Sequence, residues 1–65
     1  MFTNELGDTP TPEDLFMQAY VNEMQAEYEE AIAFYKEVVS SFKSSSYAPV
    51  SLSRIFNCLE KDQNI

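Results

Sequence analysis

Four carboxylates, Glu23, Glu27, Glu29 and Glu30, crowd one short stretch of this chain. Carboxylates held close together can share a proton for acid–base work or hold a hard cation. Either chemistry needs supporting groups that are missing. Carboxylate bundles that bind two metals pair Glu-x-x-His motifs, and the chain has no histidine. Its absence also removes the usual general base and every Ser–His or Cys–His pairing. The single cysteine, Cys58, can close no intramolecular disulfide and, without histidine, no ordinary zinc site. It lies three residues from Ile55, at the edge of an apolar face, so partial burial is expected. One glycine is too few for a phosphate-cradling loop. The run from Ser44 to Tyr47 reads as a helix connection more simply than as a phosphorylation site. These residues therefore predict no catalytic group, no cofactor and no metal, and a solvated acidic face around Glu23 and Glu27.

Charge narrows the partners. Four basic residues against eleven acidic ones leave -7 at neutral pH. Phosphate backbones repel such a surface, which argues against nucleic acid. Anionic membranes are excluded on the same ground, because the amphipathic stretch lacks a Lys/Arg-rich polar face. The first basic residue is Lys36, which speaks against a positively charged leader. No apolar run approaches the roughly 18 residues of a membrane span. A soluble protein is expected, and the lone cysteine fits a reducing, cytoplasmic setting.

The elements that position these groups follow from the pattern of apolar residues. The 65 residues allow one small domain, or a fragment of a larger helical repeat protein. Residues 1–10 hold the only glycine and a proline without sustained period, so they read as a flexible arm from which Phe2 or Leu6 could dock. Thr11 then caps a helix with Pro12 at its first position and Glu13 and Asp14 on its positive end. No Gly or Pro interrupts the chain from there to Phe42. A polar connection at 43–48 precedes a last helix opened by Pro49 and carrying Leu52, Ile55, Phe56 and Leu59. No alternating strand pattern occurs. The fold class is all-α over residues 11–62, with helices near 12–25, 27–42 and 49–61.

Whether the first two are one helix is a contest between two signals. Met17, Val21, Met24, Tyr28, Ala31, Tyr35, Val38 and Phe42 are spaced alternately by four and three, an unbroken heptad seam. One helix from Pro12 to Phe42 would span about 46 Å. The seam is poor in Leu and Ile, however, and widens after Tyr28 as Ile32, Phe34 and Val39 join it. Such a stripe suits a helix packed between neighbours. Glu23, Glu27 and Glu30 also repel one another within a single helix, whereas a helix starting near Glu27 gains from acids in its first turn. The balance favours a break at Gln25–Glu27, giving an antiparallel hairpin or three-helix unit.

Residues 27–61, "EYEEAIAFYKEVVSSFKSSSYAPVSLSRIFNCLEK", resemble the second helix of a tetratricopeptide repeat followed by the first helix of the next. By that resemblance Tyr28 is the aromatic after the turn, Ala31 the small residue at a tight crossing and Tyr35 the later aromatic. Lys43 takes the place of the closing proline, and Ala26 stands where the turn glycine belongs. The resemblance implies a helical groove that binds protein and has no catalysis.

Nine aromatics are many for so short an all-α chain. Tyr28, Tyr35, Phe42 and Phe56 are expected in the core. Phe16, Tyr20 and Phe34 are hard to place in one small core: they either pack beneath the N-terminal arm or, with Glu23, are the candidate partner-binding residues. The expected function is a non-enzymatic protein–protein interaction module for a basic or amphipathic segment. A structural element that forms a homo-oligomeric bundle is the alternative, and an acidic mimic of nucleic acid a third. Too much apolar surface remains for two or three short helices to cover, so self-association is also expected.

Overall fold

The computed structural model describes residues 10–63, so the 1–9 portion of the expected N-terminal arm, with Phe2 and Leu6, lies outside the described residues. Three helices follow one another: α1 (Pro12–Met24), α2 (Tyr28–Ser41) and α3 (Tyr47–Gln63). No strand occurs among the described residues. α2 packs against both neighbours, whereas α1 and α3 meet only narrowly.

α1 starts as its sequence dictates. Thr11 is extended, and its hydroxyl accepts from the Asp14 N–H at 3.1 Å. Pro12 occupies the first turn, where a missing N–H goes unnoticed, and Glu13 and Asp14 face the positive helix end.

The chain turns at Gln25–Glu27, which settles the contest in favour of the break. Glu27 N–H donates to the Asn22 carbonyl (2.8 Å) and Ala26 N–H to that of Glu23 (3.0 Å). This paired closure requires a left-handed residue, and Ala26 supplies it with φ 62°. Glycine is the usual occupant, because an L-residue there costs about 1–2 kcal/mol. Ala26→Gly should therefore stabilise the fold by about 0.5–1 kcal/mol, once the extra freedom it gives the unfolded chain is subtracted. Urea unfolding reads this directly. A loss of stability, as for glycine in a helix interior, would mean that the helix runs through.

α2 begins without a side-chain cap at Glu27. Glu30 hydrogen-bonds and repels the Glu27 carboxyl, raising it above its ordinary value of 4.5. Between α2 and α3, Ser45 organises the connection. Its N–H donates to the Phe42 carbonyl, its carbonyl accepts from Ala48 N–H, and its hydroxyl accepts from Tyr47 N–H at 3.0 Å. α3 thus opens at Tyr47, two residues before the expected start. Pro49 is accommodated inside the first turn, whose N–H groups have no helical partner.

Ala19, Ala31, Tyr35, Ile55 and Cys58 form the buried centre, joined by half-buried Phe16, Tyr28, Ile32, Phe34 and Val39. Ala19 and Ala31 are both fully buried, small side chains in the cluster that joins α1 to α2. Several expectations are corrected here. The seam residues of α1, Met17, Val21 and Met24, are exposed, because the break turns Leu15, Ala19, Asn22 and Glu23 inward instead. Phe56, expected in the core, is 66% exposed, and Leu52 and Leu59 accompany it, since α3 packs through Ala48, Ser51, Ile55 and Cys58. Cys58 is buried completely rather than partly.

Candidate functional site

Two features stand out: a buried polar knot that locks the helices, and an outer face of α1 that no described residue covers. The knot centres on Glu23, whose side chain is 2% exposed. Arg54 grips this carboxylate with two prongs, Nε to Oε1 at 3.1 Å and a terminal guanidinium nitrogen to Oε2 at 2.7 Å. The Tyr35 hydroxyl donates to Oε1 at 2.9 Å, and Lys61 Nζ lies 3.8 Å from Oε2. One carboxylate from α1 therefore collects donors from α2 and α3. Glu23 was expected on a solvated face, and its burial corrects that reading: a carboxylate is admitted to an interior when enough donors meet it.

Burial opposes the charge of Glu23. The hydrogen bonds from Arg54 and Tyr35, with the charges of Arg54 and Lys61, outweigh burial and hold the carboxyl below its ordinary value of 4.5. Tyr35 moves the other way, pushed far above 10.0 by burial and by the adjacent Glu23. Burial and Glu23 likewise raise the Cys58 thiol above 9.0. The signs fix the pH profile. A lowered carboxyl contributes stability that is present above its unfolded value and lost as pH falls through the folded one. Stability should thus decline below pH 4.5. The raised phenol and thiol contribute below their unfolded values, so stability should also decline above about pH 9–10, where the unfolded chain ionises first. Thermal unfolding across both limbs tests this. An acid limb as steep in Glu23→Gln as in the natural chain would show that other carboxyls carry it.

Each partner-binding candidate has a definite place. Phe16 is half-buried, edge-on to Tyr35 (centroids 5.4 Å apart) and tilted on Tyr47 (5.1 Å), so it joins α1 to both other helices. Phe34 is half-buried against the core. Glu23 is turned inward, and a partner could reach its carboxylate only by displacing Arg54. Tyr20 alone of the four is exposed, with the Arg54 guanidinium 5.5 Å from its ring centroid. The structure thus brings Phe16, Tyr20 and Glu23 together around α3 and leaves Phe34 apart. Arg54 was missed. It is the only arginine of the chain, adjacent to core residue Ile55, and a buried-face arginine implies a buried carboxylate.

On the side of α1 away from α2, Met17, Tyr20, Val21 and Met24 recur at three- and four-residue spacing and are all exposed, Met24 to 68%. Glu13, Asp14, Met17, Gln18 and Val21 line a shallow groove there. α1 carries no Lys or Arg. A second hollow at the turn is lined mainly by Glu27, Glu29, Glu30 and Asp62. Among the described residues no His, Cys, Asp and Glu side chains converge in a group that could hold a metal ion, and no helix is long and apolar enough to cross a membrane. Comparison with protein-family models, curated proteins and solved structures finds no match.

Proposed function

We propose that this chain is a non-enzymatic protein–protein interaction module, a tetratricopeptide-like layer of three helices that receives a basic amphipathic segment along the outer face of α1. The observation that carries the reading is the exposed Met17–Tyr20–Val21–Met24 stripe with Glu13 and Asp14 at one end. Methionines adapt to varied apolar side chains, and the acids favour a partner with Lys or Arg beside its apolar face. In this reading Tyr20 touches the partner. Phe16 supports the face from beneath, Glu23 fixes α1 against α3 from inside, and Phe34 stands apart from the face. The broad packing of α1 and α3 on α2, with a narrower contact between the two, supports a repeat-like layer over a closed bundle. A structural oligomerisation role is the second reading, favoured by the apolar face of α3 at Leu52, Phe56 and Leu59.

A fluorescently labelled amphipathic peptide of leucine and lysine tests the proposal by anisotropy. Micromolar binding is expected, weaker in high salt and weakened about tenfold by Met24→Ser, a change of about 1.4 kcal/mol. The leucine–glutamate counterpart should not bind. Absence of binding to the lysine peptide, or binding indifferent to Met24→Ser, defeats the reading.

A further inference from the structure

Leu52, Phe56 and Leu59 share a second face that no described residue covers, at four- and three-residue spacing on α3. Its surroundings differ from those of α1 in one respect. Between Ala48 and Leu59 the only charged residue is Arg54, and its guanidinium is turned inward onto Glu23. The face is apolar and electrically neutral on a chain of net charge -7.

We propose that a second copy of this chain docks on this face, α3 against α3, antiparallel about a two-fold axis near Phe56. Charge selects the occupant. A second copy brings the same acidic surface, and at the α1 face Glu13 and Asp14 would meet like charges. The stretch from Leu52 to Leu59 is where two copies can touch without that repulsion. Antiparallel pairing follows from the ends of α3. It sets each positive N-terminus beside the partner's negative C-terminus, and it separates the Glu60, Lys61 and Asp62 cluster of one copy from that of the other. Phe56, two-thirds exposed, then packs at the centre, with Leu52 of each copy beside Leu59 of its partner.

Area sets the strength. Phe56, Leu52 and Leu59 together expose on the order of 250 Å² per copy, about 500 Å² for the pair. This lies below the roughly 1,200 Å² at which specific interfaces begin, so the contact is a weak one. A dimer of tens to hundreds of micromolar is expected, and added salt should strengthen it by screening the net charge. Peptide binding at α1 responds to salt in the opposite sense, so this inference and the interaction-module reading stand or fall separately.

Sedimentation equilibrium of the full chain, from a few to several hundred micromolar, decides the matter. The mass should rise from 7.5 kDa toward that of two copies. Phe56→Glu should hold it at one copy at every concentration with unchanged helical circular dichroism, and Val50→Ser, on another side of α3, should associate like the natural chain. If Phe56→Glu loses helicity, Leu52→Glu reads the same face. A natural chain that stays monomeric throughout overturns the proposal, as does association that survives both glutamate variants or falls equally with Val50→Ser.

Discussion

Arg54→Met is expected to cost about 3 kcal/mol, roughly a third or more of the stability of the molecule. The substitution nearly preserves volume but strands the Glu23 carboxylate, 2% exposed, with only the Tyr35 hydroxyl and a cation 3.8 Å away. Removing one partner of a buried ion pair costs about 3–5 kcal/mol. A chain of this length has about 3–10 kcal/mol in total. Lys61 is half-exposed and can swing closer, which places the loss toward the lower end of that range. Urea unfolding followed by circular dichroism should show the midpoint collapse. Replacing the whole knot by apolar residues, with Glu23→Leu and Tyr35→Phe added, should recover most of the loss, since such exchanges are often neutral or stabilising. A cost under about 1 kcal/mol for Arg54→Met would mean that Glu23 is hydrated and the knot holds nothing together.

Tyr35→Ala is expected to be comparably damaging for a different reason. Tyr35 is fully buried and packs against Phe16, so truncation leaves a cavity where all three helices converge. Aromatic-to-alanine changes in cores cost about 3–5 kcal/mol. Tyr35→Phe keeps the ring and removes one donor from Glu23, which should cost about 1–3 kcal/mol. Phe56→Ala provides the contrast. At 66% exposure its loss should stay within about 1 kcal/mol. Equal costs for Tyr35→Ala and Phe56→Ala would place the core elsewhere.

Where the sequence was legible, local chemistry carried the signal. Thr11, Pro12 and Asp14 announce the start of α1 because capping is decided within four residues. The connection before α3 is announced by its serines, and the all-α class by the lack of alternation. Ala26 hid the α1–α2 turn, since alanine favours helix and only its neighbours' charges and the widening stripe betrayed a break. Once the turn exists the heptad register of α1 fails, and Met17, Val21 and Met24 move outward while Glu23 moves inward. Phe56 was misplaced because α3 has two adjacent apolar faces, Ala48–Ser51–Ile55–Cys58 and Leu52–Phe56–Leu59. Periodicity cannot say which one meets α2. The small residues of the first permit closer approach, and that decides it. The knot was illegible for a related reason. Glu23 and Arg54 are 31 residues apart, and no local pattern joins them.

The outer face of α1 is best tested by titrating a leucine–lysine amphipathic peptide into isotopically labelled chain and following backbone amide shifts. Shifts concentrated at Met17, Tyr20, Val21 and Met24, with Leu52, Phe56 and Leu59 unmoved, are the predicted result. Shifts confined to the acidic hollow at Glu27, Glu29 and Glu30, or to α3, would contradict it.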